Sequence, residues 1–216
     1  NILFVFRLEQ IVLKHVQRFS PDKIILIDYP GFNLRIAKKI KQTSKIKILY
    51  YISPQLWAWK ASRLKYIKQY IDSLIVLFPF EVVWYKNRGV SVKYFGHPLV
   101  AEHLPNQNCP PISKKKRTIA LCPGSRTQEI KQHLPILMQL IEQTEHDNLG
   151  FSFELFCAPN IELDFLETFM TNSHVTINKN PILSSFKHID FAVVASGTAS
   201  LECAITLTPM VVIYKM

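Results

Sequence analysis

The sequence predicts an α/β protein made of two domains that each contain a parallel β-sheet. Short apolar strands rich in β-branched residues alternate with helical segments along the chain, a pattern typical of parallel sheets with crossover helices. The alternation breaks once, at a segment of prolines and basic residues over 105–117, and then restarts. We therefore expect two Rossmann-like lobes, residues 1–111 and residues 112–216, joined by a proline-rich hinge.

The first lobe follows the order β-α-β-α-β-α-β. Its strands are predicted at residues 23–28, 46–52, 74–78 and 92–95. Helices are predicted between them, at residues 32–41, 59–71 and 80–88. The clearest strand is the run KIILID, because the turn signal Tyr29-Pro30-Gly31 follows it directly.

The second lobe repeats the alternation. Its strands are predicted at residues 118–122, 151–157, 175–177, 191–195 and 210–214. Its helices are predicted at residues 128–145, 161–170, 181–186 and 198–204. The chain starts at Asn1, without an initiator methionine, and stops at Met216 directly after a predicted strand. We expect both lobes to be incomplete and the chain to be a fragment.

Composition and charge limit the classes of protein. No apolar run approaches the roughly 20 residues of a membrane-spanning helix, and we expect the four cysteines to be buried thiols, since none forms a CxxC pair. Residues 1–111 carry a net charge of +11 and residues 112–216 a net charge of −1, which together give the total of +10. A basic lobe indicates an anionic partner or a solvated basic face. We expect no nucleic acid partner, because RNP, zinc-finger and helix-turn-helix patterns are absent from the sequence.

The usual phosphate and metal motifs are missing from the sequence. The closest pair among the six glycines is Gly89 and Gly96, so neither GxGxxG nor a P-loop can be written. Asp-x-Asp, HExxH and CxxC are absent as well. We therefore expect no cofactor and no metal, and phosphate binding by backbone amides and cations instead.

Two strand-to-helix junctions of the second lobe are suited to phosphate binding. In the first, Gly124 allows close backbone approach, Ser125 is a candidate helix cap and Arg126 offers a forked donor. The second has the sequence Ser196-Gly197-Thr198, where helix amides form an anion site. Ordinary helix capping is the alternative for both. Glu202 lies one helical turn after Thr198, where a carboxylate accepts ribose hydroxyls, although a plain surface glutamate fits the spacing equally well.

In the first lobe, Asp28 ends the KIILID strand and is the candidate general base. An acid at the carboxyl end of a parallel strand faces the ligand crevice, but aspartates there also fix turns. Asn33 is a candidate to orient a substrate hydroxyl or to cap the following helix. The stretch around Trp57 and Trp59, followed by Lys60 and Arg63, fits a membrane interface, with burial of the tryptophans in the core as the alternative.

Taken together, these segments resemble the lipid-A-disaccharide synthases, a family of glycosyltransferases with two Rossmann-like lobes (GT-B type). The matching stretches occur in the family's order and cover nearly the whole chain. They are IDYPGFN (27–33), YYISPQLWAW (50–59), LFPFE (77–81), FGHPL (95–99), LCPGSR (121–126), ASGTASLE (195–202) and TPMVV (208–212). The resemblance also implies that the N-terminal glycine-rich turn and the end of the second lobe are missing.

The resemblance implies transfer of 2,3-diacylglucosamine from UDP to 2,3-diacylglucosamine 1-phosphate (lipid X), giving the β-1,6-linked disaccharide of lipid A with inversion and without a metal. It further implies a cytoplasmic enzyme that is peripheral on the inner membrane, with an anionic membrane surface as a partner. Arg126 and the amides of residues 196–198 would hold the diphosphate, Glu202 the ribose, and Asp28 would deprotonate the acceptor. One departure concerns Gly31, which stands where some relatives have a second aspartate. We expect the fragment by itself to be inactive.

Two alternatives share this architecture. One is a UDP-N-acetylglucosamine transferase with a polyprenyl-linked acceptor, which gives no reason for the SPQLWAW stretch. The other is a sugar-nucleotide epimerase, which differs by acting without an acceptor.

Overall fold

A computed structural model describes residues 2–102, 117–170 and 175–215 of the chain. The chain divides into two compact units, Asn1–Ala101 and Glu102–Met216. Residues 105–116 of the predicted linker and Cys109 lie outside the described residues. The lobe boundary after residue 111 therefore stays a prediction.

The first unit has a four-stranded parallel sheet with the strand order β1-β2-β3-β4. Its strands are β1 (Lys23–Ile27), β2 (Lys47–Tyr51), β3 (Ser73–Val76) and β4 (Lys93–Tyr94). Its helices are α1 (Ile2–Phe19), α2 (Pro30–Thr43), α3 (Leu64–Tyr70), α4 (Pro79–Lys86) and α5 (Pro98–Glu102), with a 3-10 turn at Ala61–Arg63.

The core of the first unit forms where α2 packs on the sheet. Ile36 and Ile40 of α2 lie one turn apart and are buried together with Ile48 and Tyr50 of β2. Asp72 connects α2 and β2 at the surface of the unit. It accepts hydrogen bonds from Lys41 at 2.6 Å, Lys47 at 3.1 Å and the Ile48 N–H at 2.8 Å. Burial raises the pKa of Asp72, but these hydrogen bonds outweigh it and lower the pKa to about 2.

The second unit has a five-stranded parallel sheet with the order β7-β6-β5-β8-β9. Its strands are β5 (Thr118–Cys122), β6 (Ser152–Phe156), β7 (Val175–Asn178), β8 (Phe191–Ala195) and β9 (Met210–Ile213). Its helices are α6 (Thr127–His146), α7 (Leu163–Glu167), α8 (Ile182–Ser185) and α9 (Thr198–Ile205), with a 3-10 turn at Phe186–His188. Because the order reverses at β5, the ligand crevice of such a sheet lies between the carboxyl ends of β5 and β8.

The predicted fold class is confirmed, since both sheets are parallel and their strands agree with the predicted strands to within two residues at each end. Four helical segments differ from the prediction, one of them α5, which was not predicted. The helix expected at residues 59–71 begins only at Ala61, because Lys60 has a left-handed backbone with φ 53°, and its first turn is 3-10. The helix expected at residues 161–170 is limited to Leu163–Glu167, and the apolar start of the chain forms α1.

Candidate functional site

The Asp28 turn lies at the carboxyl end of β1. Asp28 and Tyr29 both have left-handed backbones, with φ 46° and 41°, a conformation that Asp and Asn tolerate better than most residues. The Asp28 carbonyl accepts hydrogen bonds from Asn33 Nδ2 at 2.7 Å and from the Tyr50 hydroxyl at 2.5 Å. These hydrogen bonds fix the backbone of the turn. The Asp28 side chain is exposed and extends from this fixed backbone.

Asn33 is part of the same turn. Its side-chain nitrogen donates to the carbonyls of Ile27 at 2.9 Å and Asp28 at 2.7 Å. Both hydrogens of the Asn33 side-chain amide are therefore used in hydrogen bonds within the turn, and Oδ1 is the atom that remains to accept a hydrogen bond from a ligand. Burial is the main cause that raises the pKa of the Tyr50 hydroxyl, and the charge of Asp28 raises it further. This hydroxyl is therefore a neutral hydrogen-bond donor to the turn.

In the second unit, both predicted phosphate-binding junctions line one cavity of about 540 Å³. Gly124, Ser125 and Arg126 follow β5, and the 196–198 segment follows β8, so the junctions flank the point at which the strand order reverses. The volume is in the range of ordinary small-molecule sites. The two glycine turns that are 73 residues apart in the sequence, at Gly124 and Gly197, therefore belong to one site.

The start of α9 forms one wall of this cavity. Ser196 uses its N–H for a 3.0 Å hydrogen bond to the Ile213 carbonyl, which fixes the turn before the helix. Thr198 and Ala199 are the first residues of α9 and line the cavity, and a helix leaves its first N–H groups without intrahelical acceptors. Glu202 lines the same cavity one turn further along α9. This wall offers amide donors and a carboxylate acceptor side by side.

The opposite wall holds a feature that the sequence reasoning missed. Glu129 accepts hydrogen bonds from the N–H groups of Ser125 at 3.2 Å and Arg126 at 3.4 Å, and its second oxygen pairs with Arg126 Nη1 at 2.6 Å. Burial raises the pKa of Glu129, but these bonds outweigh it and lower the pKa below its ordinary value. The carboxylate is therefore charged, and it accepts hydrogen bonds from the amides of the loop at residues 123–126, called the PGSR loop below.

Glu129 also explains two details of the loop. A Cβ at Gly124 would lie 2.6 Å from Glu129 Oε2 and 2.9 Å from Glu129 Cβ, so only glycine fits under the carboxylate. The expected cap, Ser125, is not the cap of α6, because the helix begins at Thr127 with Arg126 before it and Glu129 caps the free amides. The signal that could have predicted this is a glutamate at the third helical position.

Replacing Glu129 with alanine is expected to loosen the first turn of α6. Loss of a capping side chain costs roughly 1 kcal/mol, or about a fivefold change in an opening equilibrium. The measurement is native-state hydrogen exchange at the Ile130 amide, which bonds to the Arg126 carbonyl at 3.0 Å. Glu142→Ala, on the exposed side of the same helix, is the matched control. Equal protection of Ile130 in the two variants would contradict the capping role.

Behind the loop, the buried His133 connects two segments of the second unit. Its Nδ1 lies 2.8 Å from the Pro123 carbonyl, and its Nε2 lies 3.2 Å from the Lys215 N–H. This pairing fits a neutral ring that donates from Nδ1 and accepts at Nε2.

The described cysteines of the second unit are buried. The hydrogen bond to Cys203, together with burial, raises the pKa of Cys122, which also lines the cavity. Cys122, Cys157 and Cys203 are buried free thiols, as predicted.

The aromatic stretch of the first unit lies at the surface. Trp57 is 41% exposed and Trp59 57% exposed, which excludes burial of these two rings in the core of the unit. Lys60 Nζ lies 4.7 Å from the Trp59 ring centre, and the Arg63 guanidinium lies 5.9 Å from it. Among the described residues, no helix combines the length and the apolar character needed to cross a membrane.

The comparison that decides the family covers the chain from end to end, because the model of the lipid-A-disaccharide synthetase family matches residues 1–216. The chain belongs to this family. Lipid-A-disaccharide synthase 1 of Legionella pneumophila strain Philadelphia 1 is 41% identical over 214 residues, which are 95% of this chain and 56% of that protein. Lipid-A-disaccharide synthase of Coxiella burnetii strain Dugway is 39% identical over 215 residues, with 96% and 56% covered. The chain thus spans a little over half the length of these synthases.

Solved structures agree with the fold of this lipid-A-disaccharide synthetase family member. An S. aureus MnaA–UDP structure matches with a TM-score of 0.64 at 11% identity, over 97% of this chain and 60% of that one. UDP-GlcNAc 2-epimerase from Neisseria meningitidis, bound to UDP-GlcNAc, matches with a TM-score of 0.63 at 12% identity, over 98% and 64%. At these identities the likeness is one of fold.

Within the residues described for this synthetase family member, the cavity contains more than the sequence motifs indicated. Phe156, Lys179 and Asn180 also line it, and none of them belongs to a glycine turn. Lys179 is directed by a 3.1 Å hydrogen bond to the Ile161 carbonyl. No group of three or more potential metal ligands lies together in the described part of the chain.

Proposed function

We propose that the protein containing this chain is an inverting glycosyltransferase. It transfers 2,3-diacylglucosamine from UDP to 2,3-diacylglucosamine 1-phosphate and forms the β-1,6-linked disaccharide of lipid A. The observation that carries the proposal is the family match over the whole chain, joined to one cavity lined by both glycine turns. The residue roles are part of the proposal.

The second unit binds the UDP part of the donor. The N–H groups at the start of α9 and the guanidinium of Arg126 neutralise the diphosphate, and Glu202 accepts the ribose hydroxyls. The sequence had also suggested the Ser196 amide as a phosphate donor, but its N–H is bonded to the Ile213 carbonyl, so Ser196 contributes by fixing the turn. Two structures of similar fold are described as containing UDP or UDP-GlcNAc, which supports a nucleotide-sugar donor. Positive charge aimed at the departing UDP is the kind of electrostatic stabilisation that contributes most to such reactions.

Glu129 imposes a condition on this binding mode. Its carboxylate already takes the Ser125 and Arg126 amides, so the PGSR loop meets the diphosphate through the Arg126 side chain and not through these N–H groups. Arg126 has a forked guanidinium, which is able to share its donors between Glu129 and a phosphate oxygen. Gly124 and Ser125 then contribute to the site by the shape of the loop.

The first unit acts on the acceptor. Asp28 removes the proton from the acceptor's 6-hydroxyl as its oxygen attacks the anomeric carbon, and the bond to UDP breaks with the electrons leaving on the diphosphate. Asn33 Oδ1 orients the acceptor. Inversion follows from a single displacement at the anomeric carbon.

The aromatic surface fits a lipid substrate. Trp57 and Trp59 are exposed next to Lys60 and Arg63, and amphipathic rings beside cations are typical of the membrane interface. We propose that this surface contacts acyl chains and anionic head groups, so that the enzyme works in the cytoplasm as a peripheral protein of the inner membrane.

The test compares donors in the full-length protein. UDP-2,3-diacylglucosamine and unacylated UDP-glucosamine are supplied separately with lipid X, and disaccharide formation is measured. The proposal predicts product only with the acylated donor and only with an acceptor present. Preference for the unacylated donor would reject the lipid A reaction, and consumption of the donor without any acceptor would favour an epimerase.

A further inference from the structure

A second cavity lies in the first unit, between α2 and α3, and has a volume of about 490 Å³. Along α2 its lining follows the spacing Gly31, Leu34, Arg35, Lys38, which is one face of a helix. Arg63 and Tyr66 close it from the other side. Pro30 and Gly31 belong to the IDYPGFN stretch and Arg63 follows the two tryptophans, but no sequence motif includes Lys38.

The cavity is strongly basic. Arg35, Lys38, Lys39 and Arg63 line it, and none of its lining residues is acidic. Two of these cations pair with Glu9 of α1, whose side chain is fully buried and lies 2.8 Å from Arg35 Nε and 2.5 Å from Lys39 Nζ. The contact with Arg35 is an ion pair without hydrogen-bond alignment, since Glu9 Oε1 has no hydrogen-bond donor among the described residues.

Glu9 therefore pairs with two of the four cations, and the other two have no carboxylate partner in the cavity. Among the described residues, Lys38 and Arg63 form no ion pair with a carboxylate. Both are half-buried, so their charges are less screened than those of fully exposed side chains. Four cations and one carboxylate leave the cavity with an excess of positive charge that an anion would neutralise.

The cavity also adjoins the Asp28 turn. Pro30 and Gly31 line the cavity at the start of α2, directly after Asp28 and Tyr29 in the chain. Arg63 is close enough to the turn for its charge to act on the Tyr50 hydroxyl, which donates to the Asp28 carbonyl. No atom lies within 4 Å of the Cβ position of Gly31, so a ligand has room there.

We propose that this cavity is a phosphomonoester site, in which Lys38 and Arg63 are the charged donors. A guanidinium and an ammonium on opposite walls suit the several oxygens of such a phosphate. Identifying the phosphate as that of the acceptor sugar rests on the proposed function. With its phosphate here, a hexosamine phosphate would present a hydroxyl from the far end of its ring to Asp28.

The test is a calorimetric titration of the full-length protein with glucosamine 1-phosphate, and with glucosamine as the unphosphorylated partner. We expect glucosamine 1-phosphate to bind and Lys38→Glu to weaken it at least about tenfold, the effect of losing one charge-assisted hydrogen bond. Lys45→Glu makes the same charge change at an exposed position outside the cavity and should bind like the parent. Arg63→Gln, on the opposite wall, should reproduce the loss, and circular dichroism checks that each variant is folded.

Three outcomes would overturn the proposal. These are equal affinity for glucosamine and glucosamine 1-phosphate, equal loss in Lys38→Glu and Lys45→Glu, or unchanged affinity in both Lys38→Glu and Arg63→Gln. Phosphatidylglycerol vesicles separate the sources of phosphate, because Lys38-dependent binding to vesicles alone would assign the cavity to a lipid head group and reject the sugar phosphate. UDP titrations report on the second unit, so a failure of UDP binding counts against the proposed function and not against this site.

Discussion

Asp28→Asn in the full-length protein is expected to reduce sugar transfer by about 10²- to 10⁴-fold, the usual contribution of a general base, while UDP binding stays unchanged. Asparagine keeps the size of the side chain and tolerates the left-handed backbone at φ 46°. The hydrogen bonds from Asn33 and Tyr50 end on the Asp28 carbonyl, so they survive the substitution. What is lost is the ability to accept a proton.

The matched control is Asp22→Asn, at the opposite end of the same strand β1. Asp22 is exposed and lies at the amino edge of the sheet, where a parallel α/β fold does not bind its ligand. Its turnover should equal that of the parent. Near-normal turnover of Asp28→Asn would remove Asp28 as the base.

Gly31 offers a second step in the same experiment. A Cβ added at this position would have no atom within 4 Å, and the residue lies in the first turn of α2, where a carboxylate is favoured by the helix dipole. Gly31→Asp is therefore expected to fold normally. If the double variant Asp28→Asn with Gly31→Asp regains the turnover that Asp28→Asn alone has lost, the reaction needs a carboxylate in this turn but not at one particular position.

The strands were predictable because each is a short run of β-branched or aromatic residues between turn signals, as in the segments before Asp28 and Gly124. The sheet order was not predictable in the same way. The pairing of β5 with β8 brings the turn after Cys122 beside the turn after Ala195, and strand order depends on packing between distant segments. The sequence predicted two phosphate-binding turns, and the fold makes them one cavity.

The residues missed by the sequence reasoning act through contacts with other segments. Lys38 looks like one of many lysines in a basic lobe until α3 places Arg63 opposite it. Glu9 is distant from Arg35 and Lys39 in the chain, and its burial has no local signal. Glu129 is different, since a glutamate three residues after Arg126 is a local capping signal that could have been used.

Arg126→Ala is expected to weaken UDP binding by roughly 10- to 100-fold, which corresponds to about 1.5–3 kcal/mol for hydrogen bonds to a charged group. The side chain is largely exposed to the cavity, and its only ion pair among the described residues is the 2.6 Å contact with Glu129. Removing the guanidinium therefore has a second effect. It leaves the Glu129 carboxylate on the loop amides without its counter-charge, where it repels the diphosphate.

These two effects can be separated with Glu129→Gln. If the unneutralised carboxylate adds to the loss, the double variant Arg126→Ala with Glu129→Gln should bind UDP more tightly than Arg126→Ala alone, measured by calorimetry. Arg126→Lys should lie between the parent and Arg126→Ala, because an ammonium keeps the charge but loses the fork. Arg117→Ala, at an exposed position before β5 and outside the cavity, is the control. Unchanged UDP affinity in Arg126→Ala would reject the diphosphate role of this arginine and leave the α9 amides as the main donors.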